Sequence, residues 1–424
     1  MPAASAYFVR AQGDIGSKSV GYQSMKWPKQ PGRTKSVQSD LAWSLAPLTN
    51  ITPEVADFVH IAGGAYMADR SMPRGTRFSR EIALQVAVLA YDAWTDELLD
   101  AMADLLGWLT GDRWNLTVTA APAVAVNETL NVGSAGPVAL LSGGLDSFLG
   151  SLWLLSDGGS PIFVGHKDSA NAVRNAQRKV GAWLSQSYDP APAYTRYQLS
   201  QARRRRERSS RSRSLMFLGL GIATATSAGA RDLIVPENGY TGVNLLLRPN
   251  RGGALSTRST HPETFRRVAE ILSALQIDVT IANPFEWMTK GEAMAAVGAM
   301  NPAAGWIDTA AVTLSCSKLG GNWYAGSPNL NCGLCVPCMV RRATFLRAGF
   351  EDGTQYLYQS ISGSHLEGLI DDRRGDIEAV KYAIEAGADA DAIDAGTWPA
   401  DYDLDRVEEL VQRGLDELAL LDLP

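Results

Sequence analysis

Apolar positions in the first 120 or so residues recur with two different spacings. A spacing of three or four residues predicts an amphipathic helix, whereas a short apolar run or strict alternation predicts a strand. These rules predict helices at residues 52–68 and 95–109 and strands at residues 81–90 and 114–120. Thr52-Pro53-Glu54 is typical of a helix start. The first 50 residues add at most one further strand, so we predict an N-terminal α+β domain over residues 1–130, without an obvious catalytic constellation.

The pattern changes after a bridge of small residues at 121–136, where short apolar strands begin to alternate with helices. The predicted strands are residues 137–141, 161–164, 232–236 and 278–283, and the predicted helices are 147–155, 169–185, 215–228 and 264–275. Strands that alternate with helices predict a parallel sheet covered on both faces. We assign this α/β core to residues 137–350. Residues 351–424 form an acidic, mostly helical extension, with helices expected at 376–386 and 404–421.

Composition narrows the class of protein. A chain of 424 residues favours two or three domains, and 46% hydrophobic with 20% charged residues is typical of globular proteins. A formal net charge of −6 does not favour nucleic acid as a partner. Neither a secretory signal nor an apolar stretch of about 18 residues is found by pattern, so we expect no membrane span and a cytoplasmic protein.

The strongest motif is a glycine-rich turn after the first core strand, Leu140-Leu141-Ser142-Gly143-Gly144-Leu145-Asp146-Ser147. Two glycines allow the backbone to approach an anion closely, and the next helix directs its free N–H groups to the same place. Ser142 and Ser147 add hydroxyl donors, while Asp146 is suited to hold Mg²⁺ or to cap the helix. A Walker A loop and a dinucleotide fingerprint need other residues. The remaining alternative is an ordinary strand–turn–helix corner.

All four cysteines lie in one short segment, at Cys316, Cys332, Cys335 and Cys338. A disulfide framework would spread cysteines through a smaller secreted chain. Four thiolates with two-residue spacing are instead typical of a closed, tetrahedral Zn²⁺ site with a structural role. An iron–sulfur cluster has the same ligand chemistry, and four free thiols are a third alternative.

The two motifs together resemble a known family. Ser-Gly-Gly-x-Asp-Ser after an apolar strand resembles the signature of the PP-loop ATP pyrophosphatases. With Ser-Cys…Cys-Gly-x-Cys-x-x-Cys-x-x-Arg at the end of the core, residues 137–350 resemble the 7-cyano-7-deazaguanine synthase family. The chain looks most like the longer QueC-like proteins of bacterial antiphage defence operons, the QatC type.

That resemblance implies a fold and a reaction. The fold would be a HUP-like (adenine nucleotide alpha hydrolase-like) parallel-sheet core. The reaction would use ATP with Mg²⁺ to adenylate 7-carboxy-7-deazaguanine or a similar base, and then form an amide. The housekeeping enzyme of the family goes on to a nitrile. Zn²⁺ would be the bound metal.

The resemblance also carries over individual residues. Lys290 matches the family lysine after the fourth strand and would act with Asp146 and Ser147 in catalysis by offsetting phosphate charge. His166 and Arg213 match family positions, and we expect them to bind ATP together with Ser142, Gly143 and Gly144. These assignments come from the resemblance, not from spacing.

One family segment, Ser-Gly-Tyr-Pro-Asp-Cys-Arg, is missing from this chain. In its place lie Glu237-Asn238-Gly239 and residues 256–262, which contain Arg258 and His261. We expect Glu237, Asn238, Gly239, Arg258 and His261 to contact the substrate. A bland alternative for His261 is a hydrogen-bonded turn residue. The changed segment leaves the final product open.

The nucleophile is expected to be an amine from elsewhere, because no cysteine remains for a glutaminase. The additional N-terminal domain favours a protein partner from the same operon, whose N-terminal amine would receive the base. The alternatives are a 7-cyano-7-deazaguanine synthase that uses ammonia, a PP-loop tRNA-modifying enzyme and a non-catalytic ATP-binding module. A basic run between Arg203 and Arg213 fits a solvated helix face, a phosphate or acidic-partner contact, or RNA.

Overall fold

The protein is a mixed α/β structure, described here from a computed structural model. It describes residues 51–74, 79–121, 136–156, 158–167, 170–200, 207, 211–248 and 255–424, together with the backbone of three strands in the first 39 residues. Most of the small-residue bridge at 121–136 lies outside these ranges, as do Arg203–Arg206 and Arg208 of the basic run. Among the described residues, no helix is long and apolar enough to cross a membrane.

The N-terminal unit combines a four-stranded sheet with two helices. The strands are β1 (Tyr7–Ile15), β2 (Lys18–Trp27), β4 (Glu81–Val88) and β5 (Arg113–Ala120), in the spatial order β2-β1-β4-β5. Helices α1 (Pro53–Ser71) and α2 (Asp96–Thr110) begin where Thr52 and Thr95 cap them through their hydroxyl groups. The two helices and the strands β4 and β5 lie where the sequence pattern predicted them. The sequence indicated one strand before residue 50, whereas the structure has β1, β2 and the two-residue β3 (Gln38–Ser39).

A second sheet has five parallel strands. In spatial order they are β11 (Thr280–Ala282), β10 (Asp232–Ile234), β6 (Val138–Leu140), β7 (Ile162–His166) and β8 (Ala193–Tyr197). Four of them confirm the predicted strands, and β8 was missed. The short β9 (Leu199–Ser200) follows β8 in the chain and pairs with β3 in a separate two-stranded sheet.

Helices connect the parallel strands and extend beyond them. In chain order they are α3 (Leu145–Ser156), α4 (Asn171–Ser187), α5 (Arg213–Ala228), α6 (Gly239–Gly242), α7 (Pro262–Ala274), α8 (Lys290–Ala299), α9 (Trp306–Ala311) and α10 (Val336–Ala348). The C-terminal extension adds α11 (Leu357–Ser360), α12 (Gly363–Ala386), α13 (Ala390–Asp394) and α14 (Leu404–Leu418). The helices predicted in the core are therefore confirmed to within about two residues. Those in the extension are also present, although α12 begins at Gly363, thirteen residues before the predicted start at 376.

The N-terminal unit and the parallel sheet share one hydrophobic core. Phe58 of α1 and Leu140 of β6 belong to the same cluster of buried side chains. The contact between α1 and α5 is close, because a Cβ on Gly219 would lie 3.6 Å from the Phe58 ring. A second cluster joins the cysteine segment and α10 to the C-terminal helices. The N-terminal unit and the C-terminal extension therefore each pack against the α/β core through apolar contacts, in two separate clusters.

Candidate functional site

The strand order creates a crevice beside β6. Counted along the core, the sheet has the order 3-2-1-4-5, so the connections from β6 and β10 leave in opposite directions. In open parallel sheets, ligands bind outside the carboxyl ends of the strands at such a switch point. The glycine-rich turn follows β6, and the segment Glu237-Asn238-Gly239 follows β10. Two segments singled out from the sequence thus meet at this crevice.

The glycine-rich turn is held by its carbonyl groups. Each carbonyl oxygen of residues 141–144 accepts a hydrogen bond from the protein. The donors are, in order, Tyr194 Oη at 2.9 Å, Gln177 Nε2 at 3.1 Å, Leu314 N at 3.0 Å and Ser147 Oγ at 3.0 Å. The first N–H groups of α3 have no intrahelical acceptor and carry the positive end of its dipole. The carbonyl groups of the turn are therefore engaged within the protein, and its N–H side could accept an anion.

Gly143 is the residue that the turn requires. Its φ of +89° lies in the left-handed region. A Cβ at this position would also lie 2.9 Å from Gln177 Cγ. The hydroxyl groups of Ser142 and Ser147 lie 3.1 Å apart, and Ser142 Oγ accepts a hydrogen bond from the N–H of Gly144. Ser142 thus lies in the turn, and Ser147 reaches it from the first turn of α3.

Asp146 connects the glycine-rich turn to the segment that follows β10 and to the start of α8. Its Oδ2 lies 2.7 Å from Nζ of Lys290, the first residue of α8. Its Oδ1 accepts a hydrogen bond of 2.9 Å from Nδ2 of Asn238. Lys290 is 6% exposed and Asn238 is fully buried. The structure therefore brings together Asp146, Lys290 and Asn238, which lie far apart in the sequence.

Glu237 completes this polar cluster. Its Oε1 accepts hydrogen bonds from Asn238 Nδ2 at 3.2 Å and from Thr241 Oγ1 at 3.0 Å. Burial of the carboxyl group, followed by the nearby charge of Asp146, raises the pKa of Glu237 to about 8. At neutral pH this side chain is therefore mostly protonated, while Lys290 balances the charge of Asp146.

Gly239 lies against the loop that precedes Lys290. Its N–H donates to the carbonyl oxygens of Phe285 at 3.0 Å and Met288 at 2.8 Å. A Cβ at this position would lie 1.9 Å from the carbonyl oxygen of Glu286. Gly239 thus permits the close approach of two loops at the crevice, and this contact is made by its backbone.

A cavity of about 480 Å³ opens beside the turn. Its wall includes Leu314, whose N–H binds the Gly143 carbonyl group. Asn175, Arg178 and Lys179 of α4 line another side. The volume is within the range of small-molecule sites, which is about 300–1,000 Å³. The cavity thus lies on the side of the turn where Leu314 binds it, and its wall includes none of residues 142–147, 237–239 or 290.

Two predicted ATP-binding residues lie near the N-terminal unit. His166 is buried at the end of β7, where Nε2 lies 3.2 Å from the Leu199 carbonyl oxygen and the ring packs edge-on against Tyr66. Its own carbonyl group accepts a hydrogen bond from Gln177, which also binds the glycine turn. Arg213 is the first residue of α5. Ser212, which precedes Arg213, donates hydrogen bonds from its N–H and its hydroxyl group to Asp69 of α1.

Arg258 and His261 form a packing cluster. Arg258 lies 4.0 Å above the Trp108 ring, and His261 packs against both Trp108 and Trp398. His261 caps α7, because its Nδ1 accepts the N–H of Glu263 at 3.1 Å. Burial, followed by the charge of Arg258, lowers the pKa of His261 to about 4. Within the described part of the chain, neither side chain contacts Asp146 or Lys290, so the structure favours the turn-residue alternative for His261.

The four cysteine sulfur atoms form a compact cluster. All four lie within 4.8 Å of one another, and the pairs Cys332–Cys338 and Cys316–Cys335 are each 3.9 Å apart. A disulfide would require about 2.05 Å. Tetrahedral Zn–S bonds of about 2.3 Å place sulfur atoms about 3.8 Å apart, which agrees with the observed spacing. The cluster could therefore hold a metal ion such as zinc.

The surroundings of the cluster also fit a metal. The N–H of Cys335 points to the sulfur of Cys332 at 3.3 Å, and the N–H of Cys332 points to that of Cys316 at 3.4 Å. Gly333 allows the tight turn with a φ of +89°. Four sulfur ligands leave no open position, so a metal here would stabilise the fold.

Several residues that shape the crevice were not predicted. Gln177 and Glu417 both interrupt apolar faces of predicted helices, and each binds a loop at the crevice. A buried polar residue in an apolar stripe is the sequence signal that could have identified them. Tyr194 was not found because its strand, β8, was missed.

No protein-family model matches the chain, and no significant match is found among curated proteins.

Proposed function

We propose that the protein is an ATP-dependent, AMP-forming ligase of the PP-loop class, whose core resembles the 7-cyano-7-deazaguanine synthase family. The observation that carries this proposal is the meeting of the glycine turn, Asp146 and Lys290 at the switch point of the sheet. A turn that exposes N–H groups, next to a buried lysine, is suited to a polyphosphate.

The proposed chemistry activates a carboxylate, which is a poor electrophile by itself. A carboxylate oxygen forms a bond to the α-phosphorus of ATP. The bond between the α-phosphorus and the oxygen that bridges it to the β-phosphate breaks, and pyrophosphate leaves. The N–H groups of residues 143–146 and the Ser147 hydroxyl would bind the pyrophosphate, for which Gly144 N–H and the Ser147 hydroxyl turn away from Ser142 Oγ and the Gly144 carbonyl oxygen. Lys290 moves from Asp146 to the phosphate, which frees the carboxylate of Asp146 for Mg²⁺. A bound Mg²⁺ would offset phosphate charge.

The second step transfers the acyl group to an amine. The amine bonds to the acyl carbon, the bond to AMP breaks, and the nitrogen loses one proton. We propose a 7-carboxy-7-deazaguanine-type base as the acyl donor. An N-terminal amine of a partner protein, with a pKa of about 8, offers more neutral nucleophile than a lysine at about 10.4.

The ATP step is tested by its products and by one variant. The wild-type protein with ATP, Mg²⁺ and the base should release AMP and pyrophosphate, and Lys290→Met should lower this rate about 10²- to 10³-fold. Lys381→Met, on the exposed surface of α12, is the matched control. Release of ADP and phosphate would contradict the class, as would full activity of Lys290→Met.

The acceptor is tested by intact-mass measurement. The protein, ATP, the base and the products of neighbouring genes are incubated together. An added mass on one neighbour that requires Asp146 and a free N-terminus supports conjugation. Conversion of the base to its nitrile with ammonia, without any protein adduct, would instead assign the housekeeping reaction to this chain.

A further inference from the structure

One face of α14 lies against both loops that converge on Asp146. Leu410, Arg413, Gly414 and Glu417 are spaced by three or four residues, so they share this face. Toward the loop of Asn238, a Cβ on Gly239 would lie 2.7 Å from Leu410 Cδ2, and a Cβ on Gly414 would lie 2.2 Å from the Tyr240 ring. The C-terminal helix is therefore in tight contact with α6 immediately after Asn238.

Glu417 binds the start of α8, where Lys290 is located. Its Oε1 accepts a hydrogen bond from the Thr289 hydroxyl group, and its Oε2 accepts one of 3.2 Å from the N–H of Gly291. Thr289 and Gly291 flank Lys290 directly. Glu417 is 4% exposed and Thr289 is fully buried, so these bonds are shielded from water. A carboxylate at a helix N-terminus also interacts favourably with the helix dipole.

Arg413 strengthens the same connection. Its Nε lies 2.9 Å from Oε1 of Glu292, and its Nη2 donates to the Trp287 carbonyl oxygen at 3.0 Å. Glu292 in turn accepts the N–H of Thr289 in a capping box. Residues on both sides of Lys290 are thus bound to α14 by charged hydrogen bonds.

We propose that Glu417 is a positioning residue, through which the C-terminal helix fixes the start of α8 so that Lys290 can pass from Asp146 to the phosphate during ATP cleavage. This inference rests on the proposed function, since it assigns Lys290 to the phosphate. It gives the C-terminal extension a role in the chemistry, although Glu417 itself touches neither Lys290 Nζ nor Asp146 within hydrogen-bonding distance.

The test uses Glu417→Gln in the full-length chain. Glutamine preserves the shape but removes the negative charge and one acceptor oxygen, so the two charged hydrogen bonds to Thr289 and Gly291 cannot both be kept as they are. Misplacement of a reacting group by about 1 Å lowers rates on the order of 100-fold. We expect kcat for pyrophosphate release to fall about 10- to 100-fold, with little change in the KM for ATP. Glu409→Gln, on the exposed face of the same helix, should match the wild type.

A second measurement does not depend on catalysis. Amine-labelling reagents should modify Lys290 slowly in the wild type, because this side chain is 6% exposed. Labelling of Lys290 relative to exposed Lys381 should rise in Glu417→Gln and stay unchanged in Glu409→Gln. Conservative Thr289→Ser, which retains the hydroxyl donor, should keep kcat, whereas Thr289→Val should lower it.

The outcomes separate this inference from the proposed function. A wild-type protein that does not form AMP contradicts the proposed function, while the labelling ratio still tests the position of Lys290. A wild-type protein that forms AMP, with Glu417→Gln equal to Glu409→Gln in kcat and labelling, overturns the role of Glu417. A uniform rise in labelling of all lysines in Glu417→Gln would also overturn it, because it would indicate general unfolding.

Discussion

Replacement of Glu237 by glutamine should stabilise the protein at neutral pH. Folding raises the pKa of Glu237 from 4.5 to about 8, so the folded state favours the protonated carboxyl group. Glutamine resembles that protonated form. Its Oε1 can accept from Asn238 and Thr241, and its amide can donate toward Asp146, as a protonated carboxyl group does. The substitution thus removes a protonation cost while it preserves the hydrogen bonds.

The magnitude follows from the linkage between pKa and stability. Because the folded pKa is the higher one, the contribution to stability is fully present below pH 4.5 and is lost as the pH rises toward 8. One pKa unit corresponds to about 1.4 kcal/mol, so the cost is about 3 kcal/mol at pH 7 and about 5 kcal/mol above pH 8. These values are upper limits, because the carboxyl group of Glu237 does not titrate independently of its charged neighbours.

The assay is denaturant unfolding of wild type and Glu237→Gln between pH 4.5 and 8.5. The variant should gain little at pH 4.5, and its advantage should grow steadily up to pH 8. Infrared spectra at pH 7 should show a protonated carboxyl band that the variant lacks. Glu408→Gln, which is exposed, is the control. A variant that is less stable at pH 7, or a difference that does not change with pH, would refute this reasoning.

Two further expectations concern the metal and the turn. Metal analysis should find about one zinc per chain, and bound iron with visible absorbance would contradict this. Cys335→Ala should reduce both the zinc content and the midpoint of thermal unfolding, because structural zinc contributes on the order of 10 kcal/mol to folding. Gly143→Ala should cost about 1–3 kcal/mol and abolish ATP cleavage, from its φ of +89° and the contact with Gln177. Gly158→Ala, with a φ of +70° and nothing within 4 Å, controls for backbone strain alone.

Local patterns predicted most of the elements but not all strands. Helices such as α2 and α7 have clear apolar faces and capping residues, and their positions agree with the pattern. Strand β8 was missed because its residues alternate poorly and remain partly exposed at the sheet edge. β1 and β2 were underestimated because their sequence is polar and glycine-containing, so pairing between strands decides their structure.

The candidate site was predictable where one short segment contains the chemistry. The glycine turn and the cysteine cluster each depend on residues within about 25 positions of the sequence. The residues of each set lie close together in the structure. Lys290 was assigned to Asp146 only through the family resemblance, and contacts between distant segments that the resemblance does not carry were not predictable. His261 was expected at the substrate, but its position depends on Trp108 and Trp398, which lie more than 130 residues away on either side. The role of Glu417 likewise depends on packing across the molecule.

The apolar contact between α1 and α5 limits how the chain can be divided. Phe58 and Ala62 lie against Gly219, so the N-terminal unit covers a helix that itself covers the parallel sheet. A fragment that begins at β6 would expose this surface to water, and exposed apolar patches of several hundred Å² promote aggregation. The N-terminal unit is therefore not a detachable module. Its contribution must be dissected by surface substitutions in the intact chain, because loss of activity in a truncated fragment would report only a lost core.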